Sequence, residues 1–179
     1  MRFVETSIKD VWLVIPVPQS DQRGSFTRTF CAREFGVRGL ATDFVQHSIS
    51  HSWRRHTLRG LHFQLPPYEE AKLVGCARGG IWDVAADLRP DAPTSGQWFG
   101  AELTSTNGHR LYVPPGCAHG FQTLADDSIT TYLISNFYQP SAGAGVRYDD
   151  PALAIRWPAE PSCISEKDLA WPPLAEVEF

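Results

Sequence analysis

The sequence has no apolar run of the roughly 20 residues that a membrane-spanning helix requires. Its first residues also lack the apolar segment of a secretory signal. There is no excess of positive charge, because 16 Lys and Arg against 20 Asp and Glu leave a net charge of −4. We therefore expect neither a membrane protein nor a general nucleic-acid-binding protein.

Cysteine is scarce, and its spacing forms no metal-binding pair. Cys31, Cys76, Cys117 and Cys163 lie far apart, and no two of them are arranged as Cys-x-x-Cys. A structural zinc site needs closely spaced thiols or imidazoles, which this pattern does not supply. We expect four reduced thiols in a cytoplasmic protein.

The chain contains no internal repeat, low-complexity tract or linker, so we predict a single domain over residues 1–179. Its 14 Gly and 14 Pro are scattered and divide the apolar sequence into short runs. This distribution is typical of many short strands joined by turns.

Ten segments have strand composition between turn residues. They are 11–17, 25–30, 44–50, 57–64, 72–77, 80–87, 97–103, 110–113, 120–124 and 129–135. Helix is predicted only at 32–35 and near 165–169, where Ser165 and Asp168 have the spacing of a helix N-terminus. This pattern predicts a mainly β protein, a jelly-roll barrel with few short helices that encloses a ligand in its mouth.

The segment 57–64 places charged side chains in an apolar strand. Arg59 and His62 lie in it, and Lys72 begins the next predicted strand. Because charged groups are rarely buried without partners, they indicate a pocket that binds an anion and moves a proton. Strict alternation would separate Arg59 from His62, and we expect a bulge at Gly60 to bring both into one cavity. A core histidine bonded to the backbone is the simpler alternative for His62.

A transition-metal site is not expected. The residue two positions after His62 is Gln64, where a metal-binding jelly roll typically presents a second histidine. His47 and His51 share one face of a strand, and we expect both on the surface. His119 stands alone after a Pro-Pro-Gly turn. No local motif therefore gathers the three ligands that a metal site needs.

Three side chains have two interpretations on local grounds. Lys72 is either an edge residue or a cation directed into the cavity. Tyr132 is either a core residue or a proton donor, and Asp168 is either a helix-start residue or a functional carboxylate. Arg23, in a polar turn, could bind phosphate together with Arg59.

Seven segments follow one another along the chain between Arg23 and Asp168. They are TLRGLHFQ (57–64), AKLV (71–74), DVAADLR (83–89), VPPGCAHGF (113–121), YDDP (148–151), IRWP (155–158) and SEKD (165–168). In this order they resemble the dTDP-4-dehydrorhamnose 3,5-epimerase family, and the resemblance covers nearly the whole chain.

The resemblance implies a cupin-type jelly roll, a homodimer with exchanged strands, and no cofactor. The implied activity converts dTDP-4-dehydro-6-deoxy-D-glucose to dTDP-4-dehydro-L-rhamnose by metal-free proton removal and return at C3 and C5. Two alternatives stay open. One is a single-centre epimerase of another dTDP-4-keto-deoxysugar, and the other is a nucleotide-sugar-binding cupin without turnover.

The resemblance also implies a role for each candidate residue. His62 would remove the proton and Asp168 would orient it. Tyr132 would return a proton from the opposite face of the sugar, and Lys72 would face the C4 oxygen. The residues implied in substrate binding are Arg23, Gln46, Arg59, His119 and Lys167.

Four positions depart from the family pattern. Arg28 replaces an acidic residue, Ser48 replaces an asparagine, Leu133 replaces a lysine, and Gly143 replaces a glutamate. We expect these changes to fall mainly on ligand contacts. They leave open which sugar nucleotide is used and whether both centres are inverted.

Overall fold

The computed structural model describes residues 1–177 and is built almost entirely of short strands. The strands are β1 (Arg2–Glu5), β2 (Trp12–Ile15), β3 (Gln19–Asp21), β4 (Gly24–Phe26), β5 (Gln46–Ser52), β6 (Leu58–Gln64), β7 (Lys72–Arg78), β8 (Gly80–Asp87), β9 (Trp98–Thr104), β10 (Arg110–Val113), β11 (Cys117–Thr123), β12 (Ser128–Ile134) and β13 (Gly143–Gly145). The helices are α1 (Ala32–Gly36), α2 (Glu166–Leu169) and a 3₁₀ turn, Leu174–Glu176. None of the helices in residues 1–177 has the length and apolar character needed to cross a membrane.

Two antiparallel sheets face each other. One has the strand order β1-β2-β10-β7-β12-β5 and the other has the order β13-β6-β11-β8-β9, while β3 and β4 form a separate hairpin. Spatial neighbours are often distant in sequence, as where β10 lies between β2 and β7. This crossing of connections between two antiparallel sheets is the predicted jelly roll, which is therefore confirmed.

The core lies between the sheets because alternate residues of each strand point inward. Val74 and Leu111 from one sheet pack against Ile81 and Phe121 from the other. Both outer faces are also covered. Phe35 of α1 packs on the six-stranded sheet, and the C-terminal segment packs on the five-stranded sheet. This covering leaves the open end of the barrel available for a cavity.

Most predicted elements are present, with differences at their ends. β8 and β10 coincide with the predicted 80–87 and 110–113. β11 begins at Cys117, earlier than predicted, because the extended chain starts directly after the Pro-Pro-Gly turn. The sequence did not predict β1, β3 or β13, which have three or four residues and no clear alternation. Ser165 caps α2 as expected, and its hydroxyl accepts a hydrogen bond from the Asp168 N–H at 3.1 Å.

The bulge predicted at Gly60 is present. His119 and Phe121 on β11 are two residues apart, but their partners on β6, His62 and Arg59, are three residues apart. β6 therefore carries one extra residue at this point, which is the definition of a bulge. Because of it, Arg59 and His62 both reach the same cavity.

We predict that Gly60→Ala destabilises the protein by about 1–3 kcal/mol more than Gly24→Ala does. Both glycines have a similar positive φ, 126° and 128°. A Cβ at Gly60 would come within 2.6 Å of Gly120 Cα, whereas a Cβ at Gly24 would meet nothing within 4 Å. Urea unfolding of both variants measures the difference, and equal losses would contradict a packing role for Gly60.

Candidate active site

A cavity of about 550 Å³ lies at the open end of the barrel. It is lined by parts of β5, β6, β7, β12 and β13 and by the segment 163–171. Six of the nine candidate catalytic and binding residues line it: Gln46, Arg59, His62, Lys72, Lys167 and Asp168. The fold thus collects residues from distant parts of the chain around one space.

The central pair in this cavity is His62 with Asp168. The His62 Nε2 lies 2.6 Å from the Asp168 Oδ1. The histidine is 41% exposed at its side chain and the aspartate only 6%. A buried carboxylate bonded to one ring nitrogen orients the imidazole and stabilises its protonated form. The other nitrogen, Nδ1, is left for the cavity, so His62 is placed to accept a proton.

Several donors hold the Asp168 carboxylate in place. Gly60 N–H donates to its Oδ2 at 3.2 Å, and Trp171 Nε1 donates to its Oδ1 at 3.3 Å. Burial alone would raise the pKa of Asp168, but the His62 bond and charge and these two donors outweigh it. The pKa of Asp168 is therefore lowered, and the group is a carboxylate at neutral pH.

Lys72 is directed into the cavity and is not an edge residue. Its strand, β7, lies between β10 and β12, and its side chain is only 12% exposed. Its Nζ donates to the His62 carbonyl at 3.2 Å and lies 3.1 Å from Glu70 Oε1. The ammonium group is thus held at the cavity wall between the His62 backbone carbonyl and the Glu70 carboxylate.

Tyr132 and His119 do not line the cavity themselves but pack next to it. His119 stands directly opposite His62 on the neighbouring strand, and Tyr132 comes from the facing sheet. The two rings are perpendicular, with centroids 6.0 Å apart. Burial, followed by the Asp83 charge, raises the pKa of the Tyr132 phenol, while Arg59 opposes the shift. Tyr132 is therefore protonated at neutral pH, the state required of a proton donor.

His119 forms a second imidazole–carboxylate pair. Its Nε2 lies 2.7 Å from Asp83 Oδ1, and both side chains are buried. Burial raises the pKa of Asp83, whereas the charges of His119 and Lys72 act in the opposite direction. The histidines of the two pairs, His62 and His119, stand opposite each other on the neighbouring strands β6 and β11.

Among the other lining residues, Arg59 and Lys167 are cations, and Gln46 contacts a loop. Arg59 donates from Nε to Ser52 Oγ and from Nη2 to the His51 carbonyl, at 3.2 and 3.1 Å. Lys167 is exposed, with its Nζ 5.2 Å from the Trp171 ring centroid. Gln46 accepts a hydrogen bond from the backbone N–H of the loop residue Tyr138 at 2.7 Å. Cations and an aromatic ring thus border the cavity, an arrangement suited to an anion attached to a planar group.

Arg23 lies apart from the cavity of its own chain. It sits at the turn of the β3–β4 hairpin, where its side chain is 85% exposed and bonds Asp21 at 2.6 Å. Both strands of this hairpin are exposed along their whole length and pair with neither main sheet. Of the candidate residues, Arg23 is the one that the single chain leaves far from the others.

The four departures from the family pattern fall in different places. Leu133 packs on the outer face of its sheet with Leu73 and so does not touch the cavity. Arg28 is exposed and lies outside the cavity. Ser48 stands opposite Tyr132 on β5. Gly143 does line the cavity.

Gly143 is also covered by the loop residue Tyr138. A Cβ at Gly143 would meet the Tyr138 hydroxyl at 3.3 Å. The lack of a side chain at Gly143 therefore lets the Tyr138 ring pack closely on β13.

Three residues of the site were missed from the sequence. Glu70 pairs with Lys72, Asp83 pairs with His119, and Trp171 bonds Asp168. A signal was present for the two carboxylates. Glu70 is two residues before Lys72, the spacing of one strand face, and Asp83 interrupts an apolar run. Trp171 had no such signal, because an aromatic residue after a short helix is usually core.

Gln64 stands where a metal-binding jelly roll would have its second ligand, but here its side chain bonds a loop. Its Nε2 donates to the Tyr68 and Phe137 carbonyls, and its Oε1 accepts from the Gln139 N–H at 2.6 Å. It therefore anchors the loop that carries Tyr138. Across residues 1–177, no three His, Cys, Asp or Glu side chains gather in an arrangement that could hold a metal ion.

The two histidines that were predicted on the surface are exposed. His47 and His51 are both exposed on the outer face of β5. All four cysteines are free thiols; Cys76 and Cys117 are buried, and Cys163 is exposed at the cavity wall.

The sequence and structure are similar to known proteins over nearly the whole chain. A family model described as dTDP-4-dehydrorhamnose 3,5-epimerase matches residues 5–176. A protein of Sinorhizobium fredii with that same description is 42% identical over 178 residues, which cover 99% of this chain and 91% of that protein.

Solved structures agree with this similarity. The dTDP-4-dehydrorhamnose 3,5-epimerase of Elizabethkingia anophelis has a TM-score of 0.95 and 37% identity, and the match covers 100% of this chain and 99% of that chain. A 3,5-epimerase of Legionella pneumophila, solved in complex with dTDP-4-keto-L-rhamnose, has a TM-score of 0.93 and 35% identity. That match covers 99% of this chain and 94% of the other.

We predict that Asp168→Asn lowers the free energy of unfolding at pH 7 by about 1.5–3 kcal/mol, the usual loss for a hydrogen bond to a charged group. Since the pKa of Asp168 is lowered in the folded state, this stabilisation is complete above the unfolded pKa of about 3.9. It is lost as the pH falls through the folded pKa. The free energies of unfolding of the variant and the wild type should therefore converge at low pH. Urea unfolding between pH 7 and pH 3 measures this convergence.

Asp149→Asn is the matched control, because Asp149 bonds Arg147 on the surface. We expect it to change stability by at most about 1 kcal/mol. A pH-independent difference between Asp168→Asn and wild type would contradict a carboxylate at Asp168.

Proposed function

The chain belongs to the dTDP-4-dehydrorhamnose 3,5-epimerase family, and we propose that it inverts C3 and C5 of dTDP-4-dehydro-6-deoxy-D-glucose to give dTDP-4-dehydro-L-rhamnose. The observation that carries this proposal is the His62–Asp168 pair in the wall of a cavity that also holds the Lys72 cation. The site is suited to remove a proton next to a carbonyl group. The catalysed steps use only protein side chains.

His62 removes the proton. In a 4-keto sugar, the C4 carbonyl acidifies the hydrogens on C3 and C5, and loss of either one gives an enolate. A histidine is suited to this step because its ordinary pKa lies close to neutral pH. Asp168 orients the ring and stabilises the imidazolium that forms, as in other imidazole–carboxylate pairs.

Lys72 stabilises the enolate. Its ammonium group is held at the cavity by Glu70 and the His62 carbonyl, so it needs no rearrangement when negative charge develops on the C4 oxygen. By analogy with other preorganised donors, such a group contributes about 2.7–4 kcal/mol to the transition state.

Tyr132 returns the proton from the other face of the ring. It comes from the six-stranded sheet, whereas His62 comes from the five-stranded sheet, so the two groups approach the space between the sheets from opposite sides. Burial keeps the phenol protonated. A proton taken on one face and returned on the other inverts the carbon.

The nucleotide is held by the cations at the cavity rim. Arg59 and Lys167 bind the diphosphate, because guanidinium and ammonium groups are the usual partners of phosphate oxygens. Gln46 and Tyr138 contact the nucleoside, with the exposed Tyr138 ring available for stacking. His119, at the back of the site, supports the binding of the sugar.

The protein acts as a cytoplasmic homodimer. The β3–β4 hairpin is exposed on both strands, and Phe26 on it is 73% exposed. An exposed strand edge with an apolar side chain is a ready surface for pairing with a second chain. The hairpin of each subunit reaches its partner and brings Arg23 to the partner's cavity, where it completes the diphosphate site.

The activity is tested with dTDP-4-dehydro-6-deoxy-D-glucose in deuterated water. Proton NMR should show deuterium entering C3 and C5 together with inversion at both. We expect His62→Ala to lower exchange at both carbons by at least about 10²-fold, and Tyr132→Phe to impair inversion, most of all at C5. Exchange at one carbon in the wild type would instead indicate a single-centre epimerase, and binding without exchange would indicate a non-catalytic protein. Retained exchange in His62→Ala would exclude His62 as the base.

The shared site is tested by mixing two inactive variants, Arg23→Ala and His62→Ala. Each mixed dimer would contain one site with both residues intact. After subunit exchange at equal concentrations, we expect activity from about a quarter of the sites, since half of the dimers are mixed and each has one complete site. Activity that stays at the level of the separate variants would show that Arg23 acts within its own chain.

A further inference from the structure

Asp83 is a buried carboxyl group that the proposed mechanism does not use. It is 0% exposed, on β8, an inner strand of the five-stranded sheet. Its Oδ1 bonds His119 Nε2, but in the part of the chain that the structure describes its Oδ2 has no hydrogen-bond partner. A carboxylate that is desolvated with only half of its acceptors used destabilises the fold relative to an apolar residue.

Asp87, on the same strand and also 0% exposed, shows what a structural carboxylate looks like here. Its Oδ1 accepts from Arg89 Nε at 2.7 Å, and its Oδ2 accepts from Thr94 Oγ1 at 2.6 Å. Both oxygens of Asp87 are therefore satisfied by a loop that it holds in place. Within residues 1–177, the Asp83 side chain bonds no loop, and its one hydrogen bond goes to the imidazole next to Tyr132.

His119 lies between the two groups that exchange protons with the sugar. It is opposite His62 in the strand register, and its ring is perpendicular to that of Tyr132 at 6.0 Å. Its side chain is 5% exposed, whereas that of His62 is 41% exposed. His62 can therefore lose its proton to water directly, while protons near Tyr132 must pass through buried groups.

Each inversion leaves the enzyme in an altered protonation state. His62 has gained the proton from carbon, and Tyr132 has lost its proton to carbon and is a phenolate. A second inversion, at the other carbon of the same sugar, requires Tyr132 to be protonated again. The buried titratable group in ring contact with Tyr132 is His119, which bonds Asp83 through Nε2 and therefore has Nδ1 for a second proton.

Building on the proposed epimerase activity, we propose that Asp83 is a positioning residue for His119, and that this pair returns a proton to Tyr132 after each inversion. The Nδ1–H bond of the His119 imidazolium breaks and the phenolic O–H bond of Tyr132 forms. His119 becomes neutral and keeps its Nε2–H on the Asp83 carboxylate. It is recharged by solvent, which receives the proton released by His62. Asp83 supports this cycle because a carboxylate at one ring nitrogen stabilises the imidazolium.

The test separates the first inversion from the later ones. With enzyme and keto sugar at comparable concentrations in deuterated water, the wild type should invert both carbons without a pause. In Asp83→Asn, the first inversion at each site should occur at the wild-type rate. Later inversions should be about 10²-fold slower, because proton delivery by a positioned group contributes about that much. Deuterium exchange through His62 should continue, so exchange outruns inversion, and KM should stay within about threefold.

Two further variants make the result decisive. His119→Gln keeps a hydrogen bond to Asp83 but has no proton to give. Its ratio of inversion to exchange should therefore fall as in Asp83→Asn, whatever the loss of sugar binding, and even if Asp83→Asn folds poorly. Asp87→Asn, the matched control, should keep the wild-type ratio of exchange to inversion. The proposal is overturned if Asp83→Asn and His119→Gln slow exchange and inversion equally, or slow neither. A wild type that does not invert the sugar would instead refute the proposed function.

Discussion

The bulge at Gly60 is the constraint on which the site depends. An extra residue in β6 turns both Arg59 and His62 toward the cavity, which a regular strand could not do. A bulge also frees a backbone N–H from the strand ladder, and here the Gly60 N–H binds the Asp168 carboxylate that orients His62. The close contact between β6 and β11 at this point leaves no room for a side chain at Gly60. The same bulge therefore determines both the path of the β6 backbone and the position of the His62 imidazole.

The barrel interior arranges its charges in partnered groups at increasing depth. His62 with Asp168 is partly open to solvent, Lys72 with Glu70 is largely enclosed, and the pair of His119 is fully buried. Such groups are destabilising in an apolar core unless their partners are close, and the carboxylates of the two histidine pairs come from distant parts of the chain. The proposed chemistry uses this gradient, because the accessible pair can exchange protons with water and the enclosed groups can direct them.

Much of the fold followed from local patterns. Short apolar runs between Gly and Pro turns predicted most strands, and the spacing of Ser165 and Asp168 predicted the start of α2. The shortest strands, such as β13, were missed because three residues carry no periodic signal. In the site, Glu70 escaped notice because an acidic residue beside a turn usually lies in solvent. Its ion pair with Lys72, two residues further on, depends on the enclosure of both side chains at the cavity wall.

The sequence by itself determined the strand-rich class, the bulge at Gly60 and, through an ordered set of motifs, the family. Those features are local, since they depend on residue type and spacing along one strand or turn. Only the tertiary structure decided that Lys72 enters the cavity, that Leu133 does not, and that Arg23 lies outside its own chain's site. Each of these outcomes depends on which strands become neighbours. That pairing depends on residues far apart in sequence, because one order of strands is stabilised by burying the two sheets against each other.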